Sequence, residues 1–180
     1  DEVGEALRAY SRSGSENTVA DDLKSRTERL GKNELIFSKI EILDLNEEKL
    51  SQVRTGTSVK IRVHLSAEND RIFKDCRVSV SIHKDNRAYV LYSTEMSIEG
   101  RMDLLDGSIL ECMIDAVPLT LSDYYINLYV ESDGEMQDFV EAATSFNVET
   151  GKFYATGKDY PHGWEGRVVL SPHKWKIYHA

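Results

Sequence analysis

The chain has 180 residues, with 31 acidic against 22 basic side chains and a formal charge of −9. Nucleic-acid readers need a basic face, and anionic membrane surfaces attract one, so both classes are disfavoured. Hydrophobic residues make up 41% of the chain, which supplies a core and excludes wholesale disorder.

No stretch approaches the roughly 20 apolar residues of a membrane span. No leader of signal-peptide type opens the chain, and a start at Asp1 reads as part of something longer. The two cysteines, Cys76 and Cys112, are too few for a disulfide framework and lack metal-ligand spacing. A reduced, cytoplasmic setting is the expectation.

In chain order, residues 2–10 place Val3, Ala6, Leu7 and Tyr10 at helical spacing, which predicts a short amphipathic helix. Residues 11–18 (SRSGSENT) read as a flexible linker. Residues 19–30 carry only Val19, Leu23 and Leu30 as large apolar residues, and read as a weak helix or a charged tether.

From Glu34 onward the period becomes two. Val59, Ile61, Val63 and Leu65 alternate with polar residues, as do Cys76, Val78, Val80 and Ile82, and Leu110, Cys112 and Ile114. Tyr124, Ile126, Leu128 and Val130 follow, then Val140, Ala142, Thr144, Phe146 and Val148. Each run predicts a strand with one buried and one wetted face. Residues 35–45 and 88–94 are two further strands with less clean alternation.

Thr55-Gly56, Asp85-Asn86, Asp106-Gly107 and Asp133-Gly134 supply turn chemistry between the runs. Seven short strands over about 115 residues, without long intervening helices, predict an all-β, immunoglobulin-like antiparallel sandwich. Asp85-Asn86 predicts a hairpin, and the longer link from Ser93 to Asp106 predicts a crossover between sheets. Tyr124 fits a tyrosine corner. Residues 151–175 hold Phe153, Tyr154, Tyr160 and both tryptophans, Trp164 and Trp175, jointed by glycines. Residues 166–170 and 174–178 are candidate eighth and ninth strands, and so aromatic a tail is expected to pack on its own sandwich or on a neighbouring copy.

Catalytic signatures are missing: there is no phosphate loop, no G-x-G-x-x-G, no G-x-S-x-G and no H-E-x-x-H. His162, His173 and Asp159 match no metal-ligand spacing, and Cys76 and Cys112 fall on inward positions, as core residues do. Glu131, Asp133 and Glu135 cluster at one strand end, where a solvated acidic loop is the simpler reading than a pair of catalytic carboxyls. No catalytic residue, metal or cofactor is assigned.

An outward face carries more information. In a sandwich of this kind the runs at 76–82, 124–130 and 140–148 lie side by side. Their outward residues are Arg77, Ser79, Ser81 and His83, then Tyr125, Asn127, Tyr129 and Glu131, then Glu141, Ser145 and Asn147. Tyrosine rings offer flat apolar surface, and the polar neighbours offer directed hydrogen bonds, a mixture that suits sugars. An ordinary hydrophilic sheet exterior, on which tyrosines simply favour strands, is the competing reading.

Four stretches carry a family resemblance: GTSVKIRV from Gly56 to Val63, YYINLYV from Tyr124 to Val130, Phe146-Asn147-Val148, and GRVVL from Gly166 to Leu170 followed by Trp175. From Leu35 to Trp175 the chain resembles the C-terminal glycan-recognition domain of polysaccharide-export ABC transporter ATPase subunits, the Wzt type of the O-antigen system. Residues 4–10 resemble the end of the ATPase domain in such proteins, which divides the chain into a helical remnant with linker over 1–33 and a carbohydrate-binding sandwich over 34–180.

The resemblance implies a cytoplasmic domain at the inner face of the bacterial inner membrane, held there by the parent transporter. It would bind the O-polysaccharide, with or without an end cap, before export. The ATPase domain and the membrane-spanning subunit would be its partners, and a homodimer formed by exchange of C-terminal strands would explain the aromatic tail. On the strand-face argument, Tyr125 and Tyr129 would stack on sugar rings. Asn127, Arg77, His83 and Glu131 would fix hydroxyls or a terminal substituent, with Arg77 best suited to an anionic cap. The alternatives are a structural dimerisation module and a glycoside-active enzyme.

Overall fold

Alternation along the chain becomes two facing sheets in the computed structural model, which describes residues 22–177. Eight strands form: β1 (Leu35–Leu43), β2 (Gln52–Arg54), β3 (Val59–Ala67), β4 (Arg77–Lys84), β5 (Arg87–Ser93), β6 (Ile109–Ile114), β7 (Ser122–Ser132) and β8 (Glu135–Glu149). One sheet has the order β1-β3-β6 and the other β2-β8-β7-β4-β5. Every pairing is antiparallel except β2 with β8. The chain is a β-sandwich, as its period-two runs predict.

The inner faces meet through the expected residues. Val59, Ile61, Val63 and Leu65 of β3 and Val78, Val80 and Ile82 of β4 are each at most 4% exposed, and Ile126, Leu128 and Val130 of β7 are at 0%. Asp85 and Asn86 both take positive φ (49° and 59°), as do Asp133 and Gly134 (49° and 77°). These two-residue turns match the twist of the strands they join. The chain then crosses from β5 in one sheet to β6 in the other. Tyr124 is 1% exposed and its hydroxyl donates to the Thr120 carbonyl at 2.9 Å, closing a tyrosine corner. Cys76 is buried and Cys112 half-buried, and burial pushes both thiols up, as inert core residues require.

Three features depart from the pattern. β2 is too short to show a period and was not anticipated. The tail pairs only through a single bridge, Val169 with Leu119, so the expected strand at 166–170 shrinks to one residue. Its backbone is spent instead on turns, with Gly157, Gly163 and Gly166 at positive φ. No strand forms over 174–177, and Tyr178 lies outside the described residues.

The third departure is at the start. The expected helix at 2–10 and linker at 11–18 lie outside the described residues, but residues 22–30 form neither helix nor loose tether. Asp22 bridges to Lys39 of β1 and Leu30 to Phe139 of β8, so the segment lies across the open side between the sheets. Leu23 enters the core at 1% exposure. Arg29 locks the segment: its side chain is 6% exposed, that of Asp138 is 0% exposed, and Nη1 donates to Asp138 Oδ2 at 2.6 Å. The same guanidinium donates to the carbonyls of Leu23, Phe37 and Arg26. Long-range bridges, the buried Leu23 and this ion pair, rather than any local periodicity, set this conformation.

Candidate functional site

The register between β4 and β7 places Arg77 opposite Glu131, Ser79 opposite Tyr129, Ser81 opposite Asn127, and His83 opposite Tyr125. Arg77, His83, Tyr125, Asn127, Tyr129 and Glu131 therefore share the outer face of the five-stranded sheet, because each lies one residue from an inward apolar neighbour. β8 continues the face, with Ser145 opposite Tyr125 and Phe139 opposite Tyr129.

At one end Arg77 is the centre of an acidic cluster. Its Nη2 donates to Glu131 Oε2 at 2.8 Å, and its Nη1 lies 3.1 and 3.3 Å from the two carboxylate oxygens of Glu95. The guanidinium sits over the Tyr129 ring, 5.5 Å from its centroid, and the Tyr129 hydroxyl donates to Glu131 Oε2 at 2.6 Å. Tyr129, Glu95 and Glu131 together hold the Arg77 guanidinium well above its ordinary pKa. Burial first, and then the Glu131 carboxylate, push the Tyr129 phenol up.

Arg77 is the residue expected to hold an anionic cap, and in the structure its fork is engaged by two carboxylates. One positive charge faces two negative ones, so this end of the face suits neutral hydroxyls better than phosphate.

At the other end His83 stacks on Tyr125, with ring centroids 5.4 Å apart and planes at 23°. Burial lowers the His83 pKa, partly offset by Glu141, so the imidazole is neutral near pH 7. Its Nε2 lies 2.8 Å from Ser81 Oγ and 3.4 Å from Asn127 Nδ2. An amide nitrogen only donates, so Nε2 is the acceptor and Nδ1 carries the proton.

Asn127 is 7% exposed, and its Oδ1 accepts the Ala142 N–H at 2.8 Å. Ala142 takes φ 46° in a bulge where residues 141–143 of β8 stand opposite Asn127 alone. Both ends of the Asn127 amide are thus used within the protein. It positions the face rather than offering a free group.

Two contributors were missed. Phe139 lies one residue before the alternation that runs from Val140 to Val148, and extending that pattern backwards finds it. Glu95 lies in the 3-10 turn Thr94–Met96, and nothing in the sequence signals its reach to Arg77. The acidic cluster at 131–135 is divided: Glu131 serves Arg77, while Glu135 pairs with Lys32. Among the described residues no group of three or more His, Cys, Asp or Glu side chains could hold a metal ion, and no helix is long and apolar enough to cross a membrane.

Comparison with known proteins adds the following. The family model of the Wzt C-terminal domain matches residues 26–158. The crystal structure of the C-terminal domain of Wzt has the same fold, with a TM-score of 0.65 at 12% identity, covering 85% of this chain and 90% of that one. No curated protein matches the chain in sequence.

Proposed function

Because the chain belongs to the Wzt C-terminal domain family, a module of an O-antigen ABC transporter subunit, we propose that it is a non-catalytic carbohydrate-binding domain. It recognises the O-polysaccharide for export, in the cytoplasm at the inner face of the inner membrane, next to the ATPase domain of its parent and the membrane-spanning subunit. The observation that carries this reading is the shared outer face of β4, β7 and β8. Tyr125 and Tyr129 stand four residues apart on one strand, about 13 Å, so the two rings can engage different, non-adjacent sugars of one chain. Glu131, Arg77 and His83 lie beside those rings, and the Asn127 amide fixes the geometry between them.

Titration of the full chain with the host's O-polysaccharide by calorimetry tests the proposal. Saturable binding is expected, and Tyr129→Ala should abolish it while leaving the melting temperature nearly unchanged. Unaltered affinity in that variant would remove this face as the site. Incubation with the polysaccharide should release no shorter chains or reducing ends, whereas a glycoside-active enzyme would release both.

The tail supports a second part of the proposal, a homodimer formed by exchange of C-terminal segments. Trp175 and Ile177 are 86% and 79% exposed, so the end of the tail offers apolar side chains that a second copy would cover. Removing residues 151–180 should dissociate the dimer and provoke aggregation. A soluble, stable monomer after truncation would contradict exchange.

A further inference from the structure

The tail does more than trail the sandwich. Residues 154–173 line an open cleft of about 380 Å³, within the range of small-ligand sites. Its lining includes the aromatic side chains of Tyr154, Tyr160, Trp164 and His173, together with Leu170 and Asp159. Most of these residues lie beyond the stretch that matches the family model, which ends at residue 158.

The rings are held, not loose. The Tyr160 hydroxyl accepts the Leu121 N–H at 2.9 Å, and the Tyr154 hydroxyl donates to the Ser171 carbonyl at 3.2 Å. The Tyr154 ring meets His173 edge-on at 5.1 Å. The Trp164 carbonyl accepts from Arg167 N at 3.1 Å and from Thr120 Oγ1 at 3.3 Å, so the loop is tied to the sandwich. Gly166, at φ 59°, makes that docking close: its carbonyl accepts from Lys84 Nζ and the Tyr89 hydroxyl, and a Cβ there would collide with Lys84 and Ser122. Lys84 follows His83 on β4, so the cleft lies past the His83–Tyr125 end of the sheet face.

The polar groups fix the ligand class. Asp159 is paired with Lys152 at 2.7 Å, so the carboxylate adds no net negative charge to the cleft. His173 Nδ1 is 3.0 Å from the Ser171 carbonyl and donates to it, which leaves Nε2 for a hydrogen bond to a ligand. Trp164, 50% exposed, presents a flat apolar surface. Fixed aromatic faces with hydrogen-bonding groups at their edges match the C–H faces and hydroxyl edges of a sugar.

We propose that the aromatic cleft of the C-terminal tail is a second saccharide subsite that takes one neutral sugar ring. It rests on the glycan-binding reading of the sheet face for the chain that would run from one site to the other. All its lining comes from one continuous segment, so the cleft survives whichever copy of the sandwich the tail docks on.

Tryptophan emission separates the two sites, because the sheet face contains no tryptophan and the cleft contains Trp164. The full chain carrying Trp175→Phe retains Trp164 as its sole tryptophan. It is titrated with free neutral monosaccharides (glucose, galactose, mannose, rhamnose and N-acetylglucosamine) at millimolar concentrations. At least one should shift or quench Trp164 emission saturably, with a millimolar dissociation constant. Tyr154→Ala, with an unchanged melting temperature, should weaken that response by roughly tenfold. Tyr129→Ala should leave it intact, whether or not the sheet face binds polysaccharide. No saturable response to any sugar overturns the proposal, as does a response to choline alone, which would make the cleft a cation cage. A shift that follows protein concentration rather than sugar would assign the cleft to a second copy, and also overturns it.

Discussion

Replacing Arg29 with methionine keeps the stem of the side chain and removes its charge. Asp138, at 0% exposure, then keeps the Phe37 N–H at 2.8 Å as a partner of Oδ2, while its Oδ1 has no partner in the parent either. The carbonyls of Leu23, Arg26 and Phe37 lose a shared donor at the same time. Breaking a buried pair from one side leaves an uncompensated charge and costs about 3–5 kcal/mol. For a domain of this size that corresponds to a melting temperature lower by about 6–20 °C.

Burial already pushes the Asp138 carboxyl up against the pull of Phe37 N–H and Arg29, and losing Arg29 moves it further in that direction. The folded variant then holds a proton that the unfolded chain has released, so its stability falls as pH rises through that window. The deficit against the parent is greatest near neutrality and smaller near about pH 5. Adding Asp138→Asn should recover part of the loss, about 1–3 kcal/mol, because the stranded charge disappears. Urea and thermal unfolding at both pH values, over the four members of the cycle, measure this. An Arg29→Met stability within about 0.5 kcal/mol of the parent would refute the docking of residues 22–33.

Asn127→Ala strands the Ala142 N–H in the β8 bulge, with an expected loss of about 1–3 kcal/mol in urea unfolding. Glu95→Ala frees one side of the Arg77 fork, so affinity for a phosphate-bearing saccharide should rise in calorimetric titration while unfolding stays unchanged. The His83 imidazole should titrate below its ordinary value of about 6.5 in NMR. Its neutral form is the one the fold favours, so the stability it contributes is present above that value and lost as pH falls through the lower folded pKa, and His83→Gln should remove that dependence.

Period-two alternation carried most of the sandwich, because burying one face of a strand forces every second residue to be apolar. For the same reason the outward partners Arg77 to Glu131 and His83 to Tyr125 were legible as one face before any register was known. Asp85-Asn86 and Asp133-Gly134 were legible because few residue pairs tolerate two positive φ angles in succession. Arg29 was not, since its partner Asp138 lies 109 residues away and a single ion pair leaves no periodic trace. The three residues of β2 are fewer than two full periods. Glu95 reaches Arg77 from a turn, and the tail cleft is built from turns, where side-chain direction follows local φ and ψ rather than a repeat.

The chemistry of the sheet face also constrains how it can bind. Arg77, Glu95, Glu131 and the Tyr129 hydroxyl are already hydrogen-bonded to one another, and His83, Ser81 and Asn127 form a second such set. A sugar hydroxyl gains little by displacing a partner that is equally good, so the polar groups select orientation more than they add affinity. Favourable free energy then comes mainly from the exposed parts of the Tyr125, Tyr129 and Phe139 rings, and a shallow patch of that kind binds weakly on its own. A polysaccharide repeats its unit, so a second subsite on the tail and a second copy of the domain would each raise the effective concentration of the next contact. On this reasoning the affinity for long chains should far exceed that for a single repeat unit.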